Sequence, residues 1–159
     1  MTATTTERAI EIRVGPEDFT LQAEYDALCA SNTDDGAVVC FVGRVRDLND
    51  GDAVQRLHLE HYPGMTEAVL TRLADQATER WPLNRIRIIH RVGDLHPADQ
   101  IVFVGVSSPH RQAAFDGASF LMDCLKTEAP FWKKETGPDG TSRWLDARQS
   151  DETLAKRWT

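Results

Sequence analysis

Apolar residues along this chain recur with two periods, and the two periods divide it into strands and helices. Ile10, Ile12 and Val14 alternate with charged residues, which predicts a first strand. Pro16, Glu17 and Asp18 place acids at a helix start, and Phe19, Leu21, Ala23, Tyr25, Leu28 and Cys29 fit a helix to about residue 30. A turn follows at residues 32–36. Residues 37–46, AVVCFVGRVR, are nearly continuous in apolar side chains at first and predict a central strand. Gly43 inside it predicts a bulge or a close backbone approach. The strand ends in Arg44 and Arg46, which share a face in regular geometry. After a polar turn at 47–52, residues 54–62 alternate Val54, Arg56, His58 and Glu60 against Gln55, Leu57, Leu59 and His61. They predict a second strand, antiparallel to the one before.

Met65, Val69, Leu73, Ala77 and Trp81 recur every four residues beside Leu70 and Ala74, an amphipathic helix that ends before Pro82. Strands are predicted at 85–92 and 100–107, with a turn at 93–99 between them. Ser108 reads as an N-cap and Pro109 as the first helical position. Phe115, Ala118, Leu121, Met122 and Leu125 then form the buried stripe of a helix to about Lys126. A closing hairpin is predicted from residues 131–135 and 141–145. The order β-α-β-β-α-β-β-α-β-β predicts an α+β fold with a mainly antiparallel sheet. Residues 1–9 are polar and Thr-rich and predict a flexible N-terminus. Residues 10–149 read as one domain, and 150–159 as a polar tail with a helical turn carrying Leu154 and Trp158. Internal repeats, low-complexity blocks and linkers are absent from the sequence.

Composition narrows the chemistry. The 159 residues are 41% hydrophobic, enough for one domain with a true core. A formal net charge of −7 argues against generic binding to nucleic acid or an anionic membrane, and makes any local cluster of cations informative. Cys29, Cys40 and Cys124 are an odd set without CxxC spacing, which points to a reducing, cytoplasmic setting. No apolar run reaches membrane-spanning length, and the N-terminus lacks the basic and apolar regions of a signal peptide. His58 and His61 point to opposite faces of a strand, and His90 and His96 lack partners at ligand spacing, so no metal or cofactor is expected.

Cations gather at the ends of elements instead. Lys126, Lys133 and Lys134 lie beside Pro130, Phe131 and Trp132. Apolar surroundings disfavour a charged lysine and make a basic or nucleophilic amine accessible. The plainer reading is favourable positive charge at a helix C-terminus. His110 and Arg111 begin a helix, where positive charge opposes the dipole. A bound anion is one compensation; side chains swung into water are the other, and the two readings stand even. A helix over residues 109–126 is about 25 Å long, so one chain cannot bring His110 and Arg111 to Lys126 in a small pocket. Either two anion sites exist, or a second copy of the chain supplies its helix start in a two-fold dimer.

Four segments carry a family resemblance: GRVR at 43–46, LEHYPGMTE at 59–67, HRVGDLHPADQIVFVGVSSPHR at 90–111 and LKTEAPFWKKE at 125–135. In order and spacing, from about residue 36 to residue 148, the chain resembles the large, catalytic subunit of molybdopterin synthase. The resemblance implies an α/β hammerhead fold with an additional mainly antiparallel β subdomain. It implies a sulfurtransferase of molybdenum cofactor biosynthesis that converts cyclic pyranopterin monophosphate to molybdopterin. Two sulfurs come, one at a time, from the C-terminal thiocarboxylate of a small ubiquitin-like sulfur-carrier subunit. The implied assembly is a homodimer of large subunits with a small subunit at each end, a heterotetramer whose pockets draw on both large subunits. Lys126 matches the principal catalytic residue and Lys133 its assistant. Arg46, His110 and Arg111 match the substrate pocket. The carrier tail is expected beside Phe41, Pro130, Phe131 and Trp132. Two other functions fit the same lysines: a Schiff-base lyase or aldolase using Lys126, and a non-enzymatic phospholigand-binding module.

Overall fold

The computed structural model describes residues 9–49, 51–145 and 149–159. The expected flexible N-terminus lies, but for Ala9, outside the described residues. The elements in chain order are β1 (Ile10–Gly15), α1 (Leu21–Cys29), β2 (Ala37–Arg44), β3 (Leu48–Asn49), β4 (Asp52–Ala53), β5 (Arg56–His61) and α2 (Met65–Arg80). There follow β6 (Arg85–Arg91), β7 (Gly93–Leu95), β8 (Gln100–Ser108), α3 (Arg111–Glu128), β9 (Phe131–Thr136), β10 (Ser142–Leu145) and α4 (Gln149–Lys156).

The strands divide between two four-stranded sheets and a small hairpin of β3 and β4. The first sheet has the order β1-β6-β8-β2; β1 runs parallel to β6, and the other neighbours are antiparallel. The second, β10-β9-β5-β7, is antiparallel throughout. Helices on a mixed sheet, joined to a separate antiparallel sheet, make the α+β fold that the element order predicted. One expectation fails: residues 54–62 do not pair with the strand before them. The β3–β4 hairpin turns the chain out of the first sheet, and β5 finds its partners in β9 and β7. The same pairing makes a short strand of the expected turn at 93–95.

Strand alternation separates two cores. On one face of the first sheet, Ile86, Ile88, Val102, Val104 and Val106 pack with Leu70, Leu73, Ala74, Leu121 and Leu125 of α2 and α3. On the other, Ile89 and Phe103 pack with Phe19 and Leu28 around α1. A third cluster, Val45, Leu57, Leu59 and Leu95, supports the second sheet. The buried stripe of α3 is rotated from the expected one. Ala113, Ala114 and Gly117 seat the helix closely, and Phe115 is left 59% exposed. In α2 the expected stripe is buried at Leu70, Leu73, Ala74 and Ala77, and only its first member, Met65, is left exposed. The expected bulge occurs as a register shift between Gly43 and Arg44. A Cβ on Gly43 would lie 2.7 Å from Val102 Cγ1, so the backbone approach is also close.

The C-terminal segment is docked rather than trailing. Trp158 packs edge-on against Trp81 and Phe120, at 5.4 and 5.7 Å between ring centroids. Its indole N–H donates to Asp123 at 2.7 Å, and Arg80 donates to its carbonyl at 2.7 Å. These contacts hold α4 against α3.

Candidate active site

A cavity of about 270 Å³ opens where the end of β2, the last turn of α3 and the start of β9 meet. Phe41, Arg46, Lys126, Phe131 and Lys133 all line it. Each arrives by a local rule. Phe41 shares a face of β2 with Ala37 and Val39 and is 42% exposed where the strand runs past the core. Lys126 stands in the last turn of α3, where an ammonium complements the free carbonyl groups. On β9, Phe131, Lys133 and Glu135 alternate toward the cavity. Trp132 and Lys134 belong to the opposite face: Trp132 is 48% exposed, and the Lys134 ammonium lies 5.3 Å over the ring of Trp144. Neither Pro130 nor Trp132 joins Phe41 and Phe131 in lining the cavity.

The lining is cationic in an acidic chain. Arg44, Arg46, Lys126 and Lys133 face one carboxylate, Glu135. Glu135 is buried; its carboxylate accepts from Asn49 and lies 3.5 Å from the Arg143 guanidinium. Arg143 therefore balances Glu135 from beside the cavity. Among the described residues, no carboxylate is within ion-pair distance of Lys126.

His110 and Arg111 stand at the far end of α3. His110 is the N-cap, and its backbone N–H donates to Ser108 Oγ at 3.1 Å. Ser108 is thus the buried end of β8 and not the helix cap expected from the sequence. The first turn holds no acid, and both side chains are exposed. Among the described residues neither side chain is hydrogen-bonded or ion-paired. At about 1.5 Å of rise per residue, Arg111 and Lys126 stand about 22 Å apart along α3. Within one chain the structure does not bring the two groups together.

Three residues of the site were not singled out from the sequence: Asn49, Glu135 and His90. Only His90 left a signal there, as the polar end of the stripe Ile86–Ile88–His90. It is buried and stacks on Phe131, with centroids 3.8 Å apart and an interplanar angle of 18°. Its Nδ1 lies 2.8 Å from the Arg91 carbonyl, which can only accept, so Nδ1 carries the hydrogen. Burial, reinforced by the charges of Lys133 and Lys126, pushes its pKa from the ordinary 6.5 down to about 3. Unfolding releases a histidine that binds a proton at the ordinary value, so stability is lost as pH falls from 6.5 toward 3. The expected slope is about 1.4 kcal/mol per pH unit from this group. Denaturant titrations between pH 7 and pH 4 should show a shallower acid limb in His90→Phe.

Cys124, two residues before Lys126, lies on the other side of α3. It lines a larger cavity of about 550 Å³ between α2, α3 and α4, among residues such as Glu128, Phe120 and Trp158. Burial and the Glu128 carboxylate push its thiol up to about 11, which leaves little thiolate at neutral pH. Larger volume does not make this the reactive site, because the clustered cations belong to the smaller cavity. Cys124→Ser should keep wild-type turnover in a sulfur-transfer assay.

Fold and cavity define an α+β protein with a cation-lined, half-open site suited to anionic substrates. The MoaE protein family matches residues 14–128. A molybdopterin synthase catalytic subunit of Vibrio cholerae is 58% identical over 147 residues, covering 92% of this chain and 97% of that protein. Its counterpart in Escherichia coli is 55% identical over 148 residues, covering 93% and 97%. The solved structure of a molybdopterin biosynthesis MoaE protein from Burkholderia ambifaria superposes with a TM-score of 0.80 at 53% identity, covering 94% of this chain and 97% of that one. The chain belongs to the MoaE family, the catalytic subunits of molybdopterin synthase.

Proposed function

We propose that the chain is a sulfurtransferase that converts cyclic pyranopterin monophosphate to molybdopterin. The sulfur donor in this reading is the C-terminal thiocarboxylate of a small ubiquitin-like carrier, used twice. The observation that carries it is the meeting of Lys126, Lys133 and Arg46 in one cavity walled on its apolar side by Phe41 and Phe131. Both reactants are anionic, and guanidinium suits a phosphate through paired N–H donors. The flat faces of Phe41 and Phe131 suit a thin, glycine-rich carrier tail.

Each transfer forms a bond from the thiocarboxylate sulfur to an electrophilic side-chain carbon of the pterin. Water then cleaves the acyl–sulfur bond, releasing the carrier as a carboxylate and leaving the sulfur on the pterin. At one carbon the sulfur displaces the phosphate ester oxygen, which opens the cyclic phosphate; at the other it adds to a carbonyl carbon whose oxygen leaves as water, and loss of a proton sets the double bond of the dithiolene. Lys126 acts as proton donor and acceptor and as a positive charge beside the developing oxyanion, with Lys133 in support.

A homodimer with composite sites supports this chemistry. At about 270 Å³ the cavity is at the small end for a tricyclic phosphate and a peptide tail. Arg111, Phe115, Met122 and Lys126 follow one side of α3, and Phe115 leaves a large apolar group on it uncovered. A two-fold neighbour covering that side would bring the partner's His110 and the partner's Arg111 to the phosphate. The site needs no metal or organic cofactor for these steps, and the setting is the cytoplasm.

The test is turnover with purified carrier in its two forms. Thiocarboxylated carrier should yield the dithiolene product, and the plain carboxylate form none. Borohydride trapping of a substrate carbonyl on Lys126 without carrier would instead favour the Schiff-base lyase.

A further inference from the structure

Packing alone does not account for His90. It continues the stripe Ile86–Ile88 on the face of the first sheet that carries α2 and α3, and it is only 4% exposed. An apolar side chain would fill this place without desolvating two ring nitrogens. The ring is nonetheless held firmly. Phe131 stacks on it at 3.8 Å, and the Nδ1 hydrogen is committed to the Arg91 carbonyl at 2.8 Å. The other nitrogen, Nε2, therefore carries a lone pair, on a side chain that lines the same cavity as Lys126 and Lys133.

The lysine ammonium groups are donors only. A carboxylate in this place would pair with them and cancel the charge that anionic substrates need. An imidazolium would repel them. Burial and both lysines keep His90 neutral, so it offers an acceptor and adds no charge. Phe131 thereby has two tasks, as a wall of the cavity and as the clamp on the ring.

We propose that His90 is a positioning residue for the lysine pair: its Nε2 accepts a hydrogen bond from a lysine ammonium and sets the direction from which the lysines meet substrate. This rests on the sulfur-transfer reading.

Three variants separate the roles of the ring. His90→Phe keeps the stack and removes both nitrogens. His90→Asn keeps a donor near Nδ1 and leaves nothing at Nε2. His90→Gln reaches the Nε2 position with an amide oxygen that does not titrate. Each is assayed with thiocarboxylated carrier and cyclic pyranopterin monophosphate, beside acetylation rates of Lys126 and Lys133 read by mass spectrometry. His90→Phe and His90→Asn should lose kcat by roughly 10- to 100-fold with little change in KM, and alter the lysine acetylation rates. His90→Gln should recover most of kcat and the wild-type acetylation pattern. Wild-type kcat and acetylation in His90→Asn, or an equal loss in all three variants, would overturn the inference. An inactive wild-type chain would overturn the sulfur-transfer reading, and this inference with it.

Discussion

Lys126→Ala is expected to lower dithiolene formation by about 100- to 1000-fold, while carrier binding changes little. The asymmetry follows from where the side chain stands. Lys126 is on the last turn of α3, exposed into the cavity, and among the described residues it has no ion pair whose loss would unfold anything. Its removal costs the helix only the few tenths of a kcal/mol that a surface charge contributes at a C-terminus. The loss therefore falls on the reaction. Lys126→Arg divides the two tasks assigned to the amine. A guanidinium keeps the positive charge but does not give up a proton near neutral pH. If proton transfer dominates, the arginine variant stays close to the alanine one; if charge dominates, it recovers most of the rate. Lys133→Ala should show a smaller loss in the same assay.

A mixture of two dead variants is expected to regain activity. Lys126→Ala removes the amine in the last turn of α3, and Arg111→Ala removes the guanidinium at its start, about 22 Å away along the helix. If each site takes Lys126 from one protomer and Arg111 from its neighbour, a heterodimer of the two variants holds one doubly damaged site and one intact site. Random exchange makes half the dimers mixed, so the mixture approaches about a quarter of wild-type activity. No recovery after demonstrated subunit exchange would show that each chain works with its own residues alone. The experiment depends on exchange, which mixed dimers carrying two different tags would report.

The helices and the individual strands of the first sheet were legible in the sequence because each rests on local periodicity, and the bulge at Gly43 because a glycine interrupts an apolar strand; the order in which those strands pair was not. Nor was the pairing of β5. Residues 54–62 alternate as a strand should, but alternation does not name a partner, and the β3–β4 hairpin that carries the chain to the second sheet is only two residues on each side. The rotated stripe of α3 was missed for a related reason. Phe115 counts as apolar in any pattern, yet the helix sits on Ala114 and Gly117, so small residues decide which side is buried. In the site, the cations were legible because charge at the ends of elements is visible along a chain, and the family resemblance assigned them roles. His90 and Glu135 were not, since their meaning comes from a stack across two sheets and from a buried carboxylate matched by Asn49 and Arg143. Pro130 and Trp132 were read with Phe131 because they are adjacent in sequence. Strand alternation sends Trp132 to the other face of β9.

The most direct measurement follows the sulfur. Carrier bearing an isotopically labelled thiocarboxylate is incubated with the wild-type chain and cyclic pyranopterin monophosphate, and the product is analysed by mass. The account predicts molybdopterin carrying two labelled sulfurs, with two carriers converted to the carboxylate form per product. Unlabelled product, or label retained on the carrier or the protein while product accumulates, would contradict it.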